Sequence, residues 1–293
     1  MRAPLSTYAV VRPRDLEHAL TLLHRARNGE RLVPLAGGTD VYVSLNAGVE
    51  PGRRFLDLGC LRELAGIHQR SGGLTIGALT TFSAIRAHPA VRRRYPALAA
   101  AAGEIGAWQI QNRATLGGNI ANASPAGDSL PVLLALEAVV HAWSVRGPRD
   151  VPVTSLFRGY RDLALEPDEL IAAVSLPPPV RAKSFFRKIG TRRAQSISKV
   201  VLCGLLGIGR DGRVAIARVA LGSVAPVTLR ARHVEGVLLG ARPSAAVAAA
   251  ARRALLRDIV PIDDIRSDRD YRLLVAGNVL EQFLRATAPR FAH

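Results

Sequence analysis

At 293 residues, 48% of them hydrophobic, the chain can bury a sizeable core in two domains or a compact three-part fold. No apolar run nears 18 residues and Met1-Arg2-Ala3-Pro4-Leu5-Ser6-Thr7-Tyr8 lacks a signal-peptide core, so the expectation is a cytoplasmic protein without a membrane span. The formal charge of +17 is nearly all arginine spread along the chain, with Lys183, Lys188 and Lys199 the only lysines and no nucleic-acid motif beside them, which suits an acidic protein partner better than DNA or RNA.

Residues 14–27 place Leu16, Ala19, Leu20 and Leu23 on one face, the spacing of an amphipathic helix that stops at Asn28-Gly29. Leu32–Ala36 reads as a buried strand running into Gly37-Gly38-Thr39-Asp40, with room for a helix after it. Strand, glycine turn and helix is the geometry that presents amides to a phosphate. A tight turn accounts for the same two glycines. This stretch is not G-x-G-x-x-G, and no Gly-Lys-Ser/Thr is present, so neither a Rossmann nor a P-loop reading applies.

Arg54–Leu58 and Leu74–Ala78 read as strands. Thr80, Thr81 or Ser83 caps a helix near 82–87, and Tyr95-Pro96 opens another that ends around Gly103. Gln109, Gln111, Asn112 and Arg113 then crowd polar groups together, as a solvated loop or as one that meets a polar cofactor or partner.

They lead into Thr115-Leu116-Gly117-Gly118-Asn119-Ile120-Ala121-Asn122-Ala123-Ser124-Pro125-Ala126-Gly127-Asp128, which offers little for a core. Glycine lets a chain approach a ligand closely and take positive φ, and exposed amides beside a helix N-terminus bind anions. A polar turn before a buried helix is the plainer reading. Either way, Asp128 is expected to cap a helix over Ser129–Leu136.

Val139–Trp143 and Glu169–Leu176 read as strands, and Pro177-Pro178-Pro179 as a stiff linker. Asp211-Gly212 between the apolar runs 200–208 and 213–221 predicts a hairpin. Helices follow over 225–239, 243–257 and 270–285, the last capped by Asp268 or Ser267, giving an α+β domain with one layer of helices on a sheet.

Cys60 and Cys203 stand far apart, and no two histidines have helix metal-site spacing. Metal or cluster chemistry therefore belongs to another chain. The glycine pairs 37–38 and 117–118 each follow an extended run. One such turn holds one phosphate; two on opposing segments could hold a pyrophosphate, as in a dinucleotide such as FAD.

Ala36-Gly37-Gly38-Thr39-Asp40 and the fourteen residues from Thr115 to Asp128 resemble the FAD-binding medium subunit of the xanthine dehydrogenase and carbon monoxide dehydrogenase family of molybdenum hydroxylases. Lys188–Lys199, Leu221–Pro226 and Ser267–Arg272 are similar to its C-terminal domain, so the likeness covers nearly the whole chain and is strongest to the xanthine dehydrogenase branch. The resemblance implies an α+β fold. Residues 1–178 would form a vanillyl-alcohol-oxidase (PCMH)-type FAD domain, with subdomains at about 1–55 and 56–178, and 180–288 the flavoprotein C-terminal domain.

The resemblance also implies roles. Backbone amides at Leu35, Ala36, Gly37, Gly38, Thr39 and Asp40, and at Thr115, Gly117, Gly118 and Asn119, would hold the pyrophosphate. Asp128 would sit at the adenosine end. Ile171 and Lys188 would contact the flavin, where a cation favours the reduced anion; a surface lysine is the plainer reading of Lys188. No residue is expected to act as acid or base. A large subunit with the molybdopterin cofactor and a small subunit with [2Fe–2S] clusters would complete a complex, a dimer of heterotrimers, that passes electrons through FAD to an external acceptor. A free-standing FAD oxidase with its own substrate pocket is the alternative. Two departures stand out: Leu45-Asn46-Ala47-Gly48 lies where many relatives carry a lysine, and Ile105 aligns near the position of a flavin-stacking aromatic.

Overall fold

The computed structural model describes residues 7–29, 31–49, 52–192 and 194–292. The stretch Met1–Ser6 and Arg193, within the 188–199 motif, lie outside the described residues.

The first unit runs β1 (Ala9–Val11), α1 (Leu16–Ala26), β2 (Leu32–Leu35), α2 (Thr39–Asn46) and β3 (Arg54–Asp57). Its sheet is parallel, in the order β1-β3-β2, with Ala9 and Leu32 both in register with Arg54. The first helix forms as its pattern predicts: the Asp15 carboxylate accepts from the His18 amide at 2.8 Å, and Ala19, Leu20 and Leu23 are buried. Parallel strands bring the segments after β1, β2 and β3 to one edge, where α/β sheets bind ligands.

The second unit begins with β4 (Ile67–Arg70), β5 (Gly73–Gly77), α3 (Phe82–Ala87), α4 (Pro89–Arg94), α5 (Pro96–Glu104), α6 (Trp108–Gln111), α7 (Leu116–Asn122) and α8 (Leu130–Ala135). It ends with β6 (Val139–Ser144), β7 (Gly147–Pro152), α9 (Val153–Leu156), the small hairpin β8 (Phe157–Gly159) and β9 (Asp162–Leu163), and β10 (Leu170–Leu176). An antiparallel sheet, β4-β5-β10-β6-β7, places β10 at its centre. Leu170 and Ala172 pack into the first unit's core, whereas Ile171 and Val174 join the larger core under the helices. Asp168, just before β10, ties the two units: Arg146 grips it at 2.7 and 2.8 Å, and His24 of α1 meets it at 2.8 Å.

The third unit contains β11 (Lys183–Ile189), β12 (Val200–Ile208), β13 (Val214–Gly222), β14 (Leu229–Arg230), α10 (Arg232–Leu238), α11 (Ala245–Leu255) and α12 (Arg269–Thr287). Its antiparallel sheet, β11-β12-β13-β14, is covered on both faces, which is why β12 is one unbroken apolar run. Leu202 and Leu206 join the core that contains Leu280 and Phe283 of α12, whereas Cys203 and Leu205 join the core that contains α8 of the preceding unit. All six residues of α8 are consequently buried. Each fully buried leucine there contributes about 1.5–3 kcal/mol. The buried Arg272 binds the carbonyls of Ser223 and Lys199 and the Asp264 carboxylate, anchoring α12 to two turns of the sheet.

Three expectations are corrected. The helix expected over 225–239 starts only at Arg232, because Leu229–Arg230 pairs with β13 instead. Asp128 does not cap the helix after it; Ser129 holds that position, with no side-chain cap, and Asp128 points elsewhere. The single helical layer is true of the third unit's own helices, but α8 supplies a second layer from the preceding unit.

Candidate functional site

The strand β2 delivers Leu35 to Ala36-Gly37-Gly38, and α2 starts at Thr39. Gly38 lies at φ +74°, in the left-handed region that favours glycine. A Cβ on Gly37 would stand 1.9 Å from the Arg113 carbonyl oxygen. Among the described residues, the amides of Ala36, Gly37, Gly38, Thr39, Asp40 and Val41 have no protein acceptor. The first intrahelical bond comes from Tyr42, at 3.0 Å to the Gly38 carbonyl. Six consecutive donors at a positive helix end form an anion site.

The second glycine motif has a different job. Thr115 caps α7, its hydroxyl accepting from the Gly118 amide at 3.1 Å and its carbonyl from Asn119 at 3.0 Å. The Leu116 and Gly117 amides donate to the carbonyls of Thr80 and Ala78 at 3.1 and 2.8 Å. The amides of Gly117, Gly118 and Asn119, which the resemblance implied would hold the pyrophosphate, each have an acceptor within the protein. Gly117 is glycine for packing: its Cβ would meet Ala78 Cβ at 2.6 Å. A Cβ on the half-buried Gly118 would lie 4.0 Å from Ala36 Cβ. The two motifs thus touch, and the second braces the first.

A cleft of about 390 Å³ opens at the carboxyl edge of the parallel strands, lined by Arg12, Asp57, Gly59, Cys60 and Arg113. Arg12 and Asp57 pair at 3.0 Å. With Arg12 paired to Asp57, it is Arg113, in the segment that packs on Gly37, that reinforces the anion preference of the amides. Water displaced from around Asp40 raises its carboxyl above the ordinary value, opposed by the charge of Arg161.

Asp128 and Lys188 come together in a buried polar cluster. Lys188 Nζ donates to Asp128 Oδ2 at 2.6 Å and to the Glu104 carbonyl at 2.8 Å; the two side chains are 3% and 9% exposed. Ser198 donates its hydroxyl to the other carboxylate oxygen. Burial pushes the Asp128 carboxyl up, opposed by Lys188 and Ser198. The plainer reading of Lys188 as a surface lysine is corrected. The resemblance implied separate roles for these two residues, at the adenosine end and at the flavin; in the structure they form one ion pair. Ser129 Oγ donates to Asn119 Oδ1 at 2.7 Å, linking this cluster to α7.

Ile171 is buried in the central strand, with α7 packed across that strand. It pairs with Ala142 beside a bulge between Ile171 and Ala173. Ile105 is buried too, at 8% exposed. The sequence pattern missed Arg12, Cys60 and Ser198. The first two reach the cleft only through the parallel pairing of β1 and β3, and Ser198 meets Asp128 across 70 residues.

The FAD-binding domain of molybdopterin dehydrogenases matches residues 6–179, and the CO dehydrogenase flavoprotein C-terminal domain matches residues 185–287. A putative xanthine dehydrogenase FAD-binding subunit of Escherichia coli (strain K12) is 34% identical over 242 residues, 82% of each chain. The carbon monoxide dehydrogenase medium chain of Hydrogenophaga pseudoflava is 28% identical over 281 residues, 96% of each chain. A solved carbon monoxide dehydrogenase structure from that organism superposes with a TM-score of 0.92 over 99% of both chains at 28% identity.

Proposed function

The chain belongs to the family of FAD-binding subunits of molybdopterin dehydrogenases, and from that premise we propose that the amides of Ala36–Val41 seat the pyrophosphate of FAD in an electron-transfer subunit. When bound, FAD supplies the redox chemistry, and the protein supplies binding, orientation and electrostatics. The observation that carries the reading is the run of six amides without a protein acceptor beside an arginine-lined cleft. The residues fit the group: a Cβ on Gly37 would collide with the Arg113 carbonyl, Gly38 takes a left-handed φ, and the Arg113 guanidinium adds positive charge beside the amides while Arg12 is paired with Asp57.

Each remaining residue has a part. Thr115, Gly117 and Gly118 hold α7 against β5 and the first turn, so the amides cannot drift apart. Asn119 stays in place through Ser129. Lys188 and Asp128 act together at one end of the cofactor as a fixed, charge-paired polar group. The pair is locked by Ser198 and the Glu104 carbonyl, so it needs no rearrangement to do so.

Relatives carry the names medium chain and medium subunit. We place this chain likewise between a small [2Fe–2S] subunit and an external acceptor, with a large molybdopterin subunit upstream and two heterotrimers in the assembly. Affinity purification of the tagged chain from its native cells tests this. Recovery of a cysteine-rich small chain and a molybdenum-containing large chain is expected. A chain recovered alone that oxidises a small alcohol would contradict it and favour the free-standing oxidase.

A further inference from the structure

A second cavity, of about 620 Å³, lies between the start of β11, the end of β12 and the last turn of α12. Its lining starts at Lys183, five residues along β11 from Lys188, or about 16 Å at strand rise. It shares no residue with the arginine-lined cleft.

The floor is apolar, made by Val180, Leu206, Ile208 and Ala288. Ile208 is 43% exposed, a large side chain left facing water. The rim carries Arg181, Lys183 and Arg290, all exposed. Among the described residues none of these three cations has an ion pair or a hydrogen-bonded carboxylate. The carboxyl end of α12 brings about half a negative charge, too little to neutralise three full positive ones. Thr287 is no competing donor, because its hydroxyl is bonded to Phe283 and Leu284 of its own helix.

We propose that this groove binds an amphipathic organic anion, a carboxylate or sulfonate carried on an apolar body. The three cations select a negative group and the floor selects the body. A volume of 620 Å³ falls within the range of about 300–1,000 Å³ typical of small-molecule sites. Inorganic phosphate lacks the body, and a neutral alcohol lacks the charge. The site stands apart from the FAD reading, and its failure would leave that reading untouched.

The test is fluorescence titration of the FAD-saturated full chain with 8-anilinonaphthalene-1-sulfonate, followed by competition with octanoate, octanol and inorganic phosphate. Saturable binding is expected, with displacement by octanoate at tenfold or more lower concentration than octanol and none by phosphate. The double variant Arg181→Ala/Arg290→Ala, and separately Ile208→Glu, should weaken probe binding tenfold or more while flavin content stays unchanged. Equal displacement by octanol and octanoate would overturn the proposal, as would wild-type affinity in both variants. Probe binding by the isolated chain that vanishes in the assembled complex would assign the groove to an acidic segment of a partner and also overturn it.

Discussion

Replacing Gly37 with alanine separates a cradle from an ordinary turn. The new Cβ would stand 1.9 Å from the Arg113 carbonyl oxygen and 3.1 Å from Ala114 Cα, both backbone atoms of a segment that cannot rotate away. Relief to about 3.2 Å requires the two motifs to part by roughly 1.3 Å, an overpacking cost of about 1–3 kcal/mol. A parting of that size carries one or two of the six amides out of hydrogen-bond range of a phosphate oxygen. Hydrogen bonds to a charged group contribute about 1.5–3 kcal/mol each. The loss of about 1.5–6 kcal/mol corresponds to a weakening of roughly 10- to 25,000-fold in FAD affinity. Flavin fluorescence quenching on titration of the apo chain measures it, with thermal unfolding of the same samples as the fold control. Gly118→Ala, whose Cβ meets only Thr115 Oγ1 at 3.0 Å and Ala36 Cβ at 4.0 Å, should change affinity far less. Wild-type affinity in a folded Gly37→Ala chain would refute the reasoning.

Lys188→Met strands the Asp128 carboxylate in a buried site and should cost about 3–5 kcal/mol in urea unfolding, with part of the loss recovered in Lys188→Met/Asp128→Asn. Equal stability of the single and double variants would show that the pair is not coupled. Asp168 is held well below the usual carboxylate range, chiefly by Arg146 and then by His24. A depressed folded-state pKa gives stability that is present above the unfolded value near 3.8 and lost as pH falls below it. The melting temperature should thus drop as pH falls below about 4, and Asp168→Asn should drop less over the same range. Cys60 lines the cleft and is exposed, whereas Cys203 is fully buried with its thiol pushed up to about 12. Alkylation of the native chain should therefore label Cys60 alone, and FAD should slow that labelling several-fold; unchanged kinetics with saturating FAD would place the cofactor elsewhere.

The sequence displayed the glycines but not their division of labour. Gly37 and Gly117 are each set by backbone far along the chain, at Arg113 and Ala78, which local pattern cannot reveal. Helix α7 was hidden because its Gly-Gly-Asn-Ile-Ala-Asn composition is that of a turn. It forms because Thr115 caps it and Leu116 and Ile120 anchor it in the core. Asp128 sat where a cap belongs, and only the folding of β11 beside it explains its real partner. That strand escaped notice because Lys183, Arg187 and Lys188 mask an edge strand as surface. By contrast, the first helix and the hairpin around Asp211-Gly212 rest on short-range signals, helical periodicity and a glycine at φ +78°, and both form as read.

The central claim is that this chain itself carries FAD. Chromatography and mass measurement of the cofactor released from the purified, FAD-reconstituted chain test it most directly. One FAD per chain, with FMN not retained, is the predicted result; a chain that retains no flavin, or takes FMN equally well, would contradict it.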